Sequence, residues 1–399
     1  MANILPTTAL IAKETLAIIR NNKGFYKSVN RDYEKDFKSD KSSYDTGQTI
    51  LLPKPPRFQY RAGRVATPQD VIKPTVPLTV SQGGTEYAFT SLERTLSVSR
   101  FEEICAAAAD TVMNQVDAIG LEMVRRTVGQ ATGTIGTPPN TQASALNLIL
   151  SANQRLDEQG ASRVEGDRFA CSSPLMNASI TQGFAGMFNS QSDIAKQYRQ
   201  GLWLDSMGLS TYMDPNVARH FNGTNSAANT VNGANQSGPN LVVSATNGTI
   251  TAGTSFTIAG VFTVNPVSRI PTGTLYQFVV ASDVASGATT IPLGTAVVLS
   301  GAFQNVSAAG ANGAALTFLG GANVNYDCSV VYDRNAFTLA MLPMAEPFAG
   351  GRAKQLTEDG ITIKVTEYYD GVNDNNLMRL DVLFGWAAPY PELACKIIA

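Results

Sequence analysis

Charge is what this sequence has least of: Asp, Glu, Lys and Arg make up 16% of its 399 residues, against roughly 25% in an average soluble protein. The 30 basic and 32 acidic side chains nearly cancel, to a formal charge of −2, which argues against a dedicated nucleic-acid clamp or a membrane-surface binder. Histidine is rarer still. His220 is the only one, so a Ser/His pair would have to use it, and it reads as an ordinary domain-edge residue. The cysteines at 105, 171, 328 and 395 are far apart and form no C-x-x-C pair. Neither a zinc ribbon nor a redox dithiol is signalled, and they read as small buried apolar residues. No run of about eighteen apolar residues occurs, which excludes an ordinary transmembrane helix. Met1–Lys13 has no basic n-region and is interrupted by Pro6; a cleavable signal peptide is not expected, and assembly in the cytoplasm is.

Nucleotide and metal signatures are missing as well. There is no G-x-x-x-x-G-K-[ST] loop, and Gly129–Gly136 lacks the spacing and preceding strand of a dinucleotide loop, so it reads as a linker. Asp370-Gly371-Val372-Asn373-Asp374 is rich in oxygen ligands but not in EF-hand order, and reads as a hairpin turn. Three formal glycosylation sequons, at Asn222, Asn235 and Asn247, lie in an Asn/Thr/Ser-rich stretch that produces them by chance. We assign no catalytic residue, no cofactor and no metal.

What is present is a chain long enough for two or three units. Thr7 and Thr8 can cap a short helix, Ala9–Arg20, whose apolar stripe is too short to be stable alone in water. From Lys23 to Asp45 acidic and basic residues alternate around Phe25, Tyr26, Tyr33 and Phe37, a pattern too polar for a core that reads as an extended arm. Strand-like runs follow at Gln48–Leu52, Arg57–Arg64, Val76–Val80 and Tyr87–Ser91, separated by prolines that confine strands to edges. In Arg57-Phe58-Gln59-Tyr60-Arg61, continuing to Arg64, the three cations would share one side of an extended strand. Such a hairpin, about 60 Å long at ~3.3 Å per residue, should reach a neighbouring subunit. Contact with that neighbour's carboxylates is preferred over contact with DNA phosphate.

Phe101–Val128 is the clearest helix, with Phe101, Ile104, Ala108, Val112, Val116, Ile119 and Met123 at steps of three or four and Ser99 as a possible cap. A linker through Asn140, a helix Gln142–Gln159, a strand Arg168–Ser172, a helix started by Ser173 and Pro174, and an extended Leu202–Met213 make an α/β unit. Then the composition breaks. Between Asn222 and Tyr326 the only charged side chains are Arg269 and Asp283. After an Asn/Ser/Gly linker through Asn240, the runs Phe256–Val264, Leu275–Ala281, Thr295–Leu299 and Ala315–Leu319 read as a small β barrel or sandwich. Beyond it we expect a strand Ser329–Tyr332, a short helix around Asn335–Met341, and strands Ile361–Tyr369 and Met378–Phe384 returning to the sheet begun before the insertion.

In order, the arm, proline-rich hairpin, long helix and α/β unit resemble the N-arm, E-loop, spine helix and A-domain of HK97-like capsid proteins of tailed double-stranded DNA phages. The segment Gly253-Thr254-Ser255-Phe256-Thr257-Ile258-Ala259-Gly260-Val261-Phe262-Thr263-Val264-Asn265-Pro266, with Gln277-Phe278-Val279-Val280, is similar to the inserted domain of short-tailed-phage coat proteins of the phage P-22 type. Tyr332-Asp333-Arg334-Asn335-Ala336-Phe337-Thr338-Leu339-Ala340 resembles the family's return strand and helix. The resemblance implies an α+β, HK97-like fold divided into an N-terminal arm (1–45), E-loop and flanking strands (46–98), P-domain spine helix (99–140), first part of the A-domain (141–222), inserted β domain (223–327) and returning A- and P-domain strands (328–399). It implies a structural major capsid protein, hexamers and pentamers closing into an icosahedral procapsid, a scaffolding protein, a portal protein and packaged double-stranded DNA touched weakly and without specificity. Because arm-like sequence begins almost at Met1, the scaffold is expected to be a separate protein. Glu14, on or next to the apolar stripe of Ala9–Arg20, would then select a basic scaffold, a solvated glutamate being the plainer alternative. Some relatives crosslink through a hairpin lysine; Lys54 and Lys73 read here as solvated. The inter-subunit contacts we expect are Arg57, Phe58, Tyr60, Arg61 and Arg64. A nanocompartment shell of the same fold and, in a different class, a cell-surface adhesin are the rival readings.

Overall fold

A computed structural model describes residues 24–37, 48–60, 63–64, 68–90, 101–164, 166–184, 207–226, 229–345, 352–358 and 361–399. Helix Ala9–Arg20, Glu14, Arg61 and the Ser99 cap lie outside these residues. The chain divides into two compact units, the first made of residues 1–52, 76–120 and 338–387, the second of 53–75, 121–337 and 388–399. Helix α1 (Phe101–Thr127) contributes to both.

The first unit is built on a hairpin. Strands β17 (Ile361–Asp370) and β18 (Asn375–Ala387) pair antiparallel, turning at 371–374 as the Asp-Gly composition predicts. On β18 the alternate residues Met378, Leu380, Val382 and Phe384 are buried, the period-two signature of a sheet with one face covered. Ala108 of α1 packs in one cluster with Val365, Met378 and Leu380. β16 (Arg352–Glu358), β15 (Thr338–Leu342) and β3 (Ser81–Thr90) complete this sheet, while β1 (Thr49–Pro53) and β2 (Thr75–Thr79) pair as a two-stranded one. Thus Ile361–Tyr369 and Met378–Phe384 do not join the sheet of the α/β unit. The expected helix around Asn335–Met341 is also absent: a single 3-10 turn, Arg334–Ala336, leads into β15. All five β15 residues are buried, so the segment carries no polar face from which to read a period.

The arm needs correction as well. At its root Phe25, Tyr26 and Val29 lie in the core, at most 1% exposed, while Lys27 between them points out. The Tyr26 amide donates to Asp117 Oδ1 at 2.9 Å, and the Phe25 ring stacks on Trp386 at 5.1 Å. Trp386 in turn donates its indole N–H to Val116 O at 3.0 Å. Gly120 makes room, since a Cβ there would stand 2.6 Å from the Trp386 ring. This packing leaves Ile119 42% exposed, whereas the sequence stripe had placed it inward.

The second unit carries a five-stranded sheet in the order β4 (Ala131–Thr132), β19 (Ala394–Ile397), β14 (Ser329–Asp333), β5 (Arg168–Ser172), β6 (Ser210–Met213). Helices α2 (Gln142–Glu158) and α3 (Pro174–Gly183) cover one face through Ala145, Ile149, Ala152, Leu156, Met176 and Ile180. Thr141 and Ser173 cap them as their types predict.

Within the same unit, β7 (Arg219–Phe221) and β13 (Asn325–Asp327) pair with His220 opposite Tyr326, so the chain leaves and re-enters side by side. Between them β8 (Gly238–Val242) pairs with β11 (Thr290–Val297), and β9 (Ser255–Val264) lies between β10 (Pro271–Val279) and β12 (Leu316–Phe318). Phe256, Ile258, Val261, Phe278, Val280, Ile291 and Leu293 share one core among these strands. The segment read as linker through Asn240 therefore already contains the start of a strand. Gln277 binds both the amide and the carbonyl of Ala131, at 2.7 and 3.0 Å, and Arg155 donates to Leu275 O at 3.2 Å. These bonds dock the all-β segment on the α/β sheet.

Candidate assembly surface and its buried anchor

The loop from 54 to 74 shows what its prolines dictate. Arg57–Tyr60 form no strand, because Pro55, Pro56 and Pro68 cannot donate to a ladder. Side chains substitute: the Gln59 amide donates to Gln69 Oε1 at 2.9 Å and Gln69 Nε2 donates to Gln59 O at 2.8 Å. Around this clasp Phe58 is 53%, Tyr60 93%, Val71 64% and Ile72 58% exposed. Four large apolar side chains so displayed on one short loop belong to no core.

The one-sided stripe of Arg57, Arg61 and Arg64 does not hold: residues 57–60 form no strand, and at a period of two Arg64 would face away from Arg57 and Arg61. Arg57 turns back to its own chain, 3.9 Å from Glu392 and with its guanidinium 5.9 Å from the Phe303 ring centre. Lys54 lies over the Tyr390 ring at 5.0 Å. Arg64 is exposed. The same loop exposes Val71 and Ile72, two residues just before Lys73 that the sequence reading does not single out.

The unit's chemistry is concentrated elsewhere, around His220, which is fully buried. Arg125 Nη1 donates to His220 Nδ1 at 2.7 Å, and His220 Nε2 lies 3.0 Å from Thr254 Oγ1. Arginine can only donate, so Nδ1 is the acceptor and the ring proton sits on Nε2. Burial, then the nearby cations Lys396 and Arg125, push the imidazole pKa down to about 3. Hydrogen bonds from Arg125 and Arg126 take Glu122 down to about 2 against the opposing effect of burial. Lys396, wholly buried, donates to Gly253 O at 3.0 Å, and burial lowers its pKa. Both imidazole nitrogens are thus engaged and neither reaches solvent, an arrangement that anchors backbone. Cys171, Cys328 and Cys395 are buried, as the sequence reading expects. Among the described residues no cluster of His, Cys, Asp or Glu could hold a metal, and no helix is long and apolar enough to cross a membrane.

The family model for P22 coat protein, gene protein 5, matches residues 88–397. Among solved structures, one from Mycobacterium phage Che8 matches with a TM-score of 0.51 at 12% identity, covering 94% of this chain and 91% of that one. The capsid of Ralstonia phage GP4 gives 0.45 at 10% identity, covering 93% and 87%. The CUS-3 coat protein I-domain is 25% identical over 23% of this chain and 95% of its own, with a TM-score of 0.19. No curated protein matches. The mixed α+β architecture is that of the HK97-like major capsid proteins of tailed phages. Within that class the chain belongs to the P22 coat protein family. It is a structural capsid protein of the virion, and its partner is itself. Neither the nanocompartment nor the adhesin reading is favoured.

Proposed function

We propose that copies of this chain close, as hexamers and pentamers, into an icosahedral head around double-stranded DNA, and that the chain performs no catalysis. Assembly takes place in the bacterial cytoplasm on a separate scaffolding protein, with a portal protein at one vertex and DNA touched weakly and without sequence specificity. The family match over residues 88–397 carries this reading. In it, residues 1–45 are the arm, 46–98 the E-loop with its strands, 99–140 the spine helix, 141–222 and 328–399 the A- and P-domain parts, and 223–327 the inserted domain. Near-zero net charge supports the weak DNA contact, since hundreds of copies that each held phosphate tightly would impede packaging.

The contacts between copies run through the loop from 54 to 74, by Arg57, Phe58, Tyr60, Arg61 and Arg64, and Glu14 docks the scaffold. Many weak contacts of this kind let misplaced subunits dissociate, and closure comes from symmetry. The test is single Ala variants of the three arginines. Each is expected to raise the concentration needed for assembly, by about 0.2–1 kcal/mol per exposed contact, with the DNA content of the particles unchanged. Normal assembly with reduced packaging would mean that these residues face the genome.

A further inference from the structure

We propose that His220 is a neutral-imidazole tether that fastens the start of the inserted β segment to the end of helix α1 and lets go in acid. The geometry carries the argument. Three successive carbonyls just before β9 are each held by one member of the buried cluster: Thr251 O accepts from Thr254 Oγ1 at 2.7 Å, Ala252 O from Arg125 Nη1 at 2.9 Å, and Gly253 O from Lys396 Nζ at 3.0 Å. His220 links the first two of these holders, accepting from Arg125 and donating to Thr254. The relay has a single direction, because Arg125 can only donate and the Thr254 hydroxyl spends its own proton on Thr251.

A proton added at Nδ1 turns both ring nitrogens into donors. Arg125 then faces a donor, and a third cation joins two others in a site closed to water. The groups around the ring offer little to offset it. Helix α1 contributes Arg125 and Glu122, β19 contributes Lys396, and β13 with the residue after it contributes Tyr326, Asp327 and Cys328; the Asn222 side chain acts to raise the ring's pKa, a smaller effect than burial and the two cations, and Asp283 of the insert acts on Arg125. Of the carboxylates, Glu122 is already engaged by Arg125 and Arg126, Asp327 by Arg219, and Asp283 by the Ala252 amide. The bond to Arg125 is what gives way.

The sign follows from linkage. The folded imidazole titrates at about 3 and a free one near 6.5. The tether therefore contributes fully above pH 6.5, and its contribution is lost as pH falls from there towards 3, about tenfold in the opening constant per pH unit.

The test compares the full-length wild-type chain with His220→Gln. A glutamine at this position can accept from Arg125 through its oxygen and donate to Thr254 through its nitrogen, but does not titrate. Amide hydrogen exchange across residues 250–256 and thermal melting are followed from pH 7.5 to 4. The expected result is that wild type loses protection and melting temperature on acidification faster than the variant, the gap widening about tenfold per pH unit in the opening constant below 6.5. Parallel profiles would overturn the proposal. Nitrogen-15 NMR of the single histidine in the wild-type chain gives a reading that does not depend on the variant folding. A proton fixed on Nε2 with no titration down to pH 5 supports the tether, and titration near 6.5 overturns it.

Discussion

Gly120 shows how one missing side chain sets a core. A Cβ added there would meet the Trp386 ring at 2.6 Å and the Phe25 ring at 3.1 Å, and the ring stack its absence permits ties the root of the arm to the end of β18. Gly120→Ala is expected to destabilise the subunit by about 1–3 kcal/mol, as overpacking of a filled core does, read as a lower urea midpoint with an unchanged slope. Asp117, buried and accepting from the Tyr26 amide, belongs to the same knot. Neither residue announces itself in the sequence. Asp117 and Gly120 stand beside the apolar stripe of α1, and their meaning appears only when Phe25 and Trp386, 361 positions apart, are brought together.

At the scale of elements, the loop from 54 to 74 separates folding from association. Replacing Phe58, Tyr60, Val71 and Ile72 together by Ser should leave subunit melting within about 1 kcal/mol of wild type, because exposed side chains contribute little to a core. Shell formation should fail. A melting loss of several degrees with normal shells would mean that the loop packs inward instead. Legible in the sequence are α1 by its three-and-four spacing, and β9 and β5 as short apolar runs, Phe256–Val264 against the observed Ser255–Val264 and Arg168–Ser172 at its observed limits. The misread segments fail for separate reasons. β15 is buried at every position and has no alternation to show; β14 is too, but its Val-Val-Tyr run favours a strand, whereas the Leu-Ala-Met-Leu of β15 is made of helix formers. β3 was shortened because Gly83 and Gly84 interrupt its pattern, yet at Gly84 a side chain would strike Leu380 O. Val71 and Ile72 were passed over because single apolar residues on a loop carry no signal until their exposure is known. The His220 cluster was legible only as an isolated histidine, since its partners Arg125, Thr254 and Lys396 come from three distant segments.

On the scale of the whole molecule, the chain joins a low-charge β segment to an α/β sheet and a long helix, and its fold and family are those of a subunit made to be surrounded by copies of itself. Low charge fits that role, since like charges on crowded neighbours would oppose closure. The most direct measurement is an electron cryomicroscopy reconstruction of the particles formed when this chain is produced together with its accessory proteins. The account predicts a closed shell whose every subunit traces this chain, with the loop from 54 to 74 lying against a neighbouring copy. A chain that stays monomeric under those conditions, or particles whose shell is built of another protein, would contradict it.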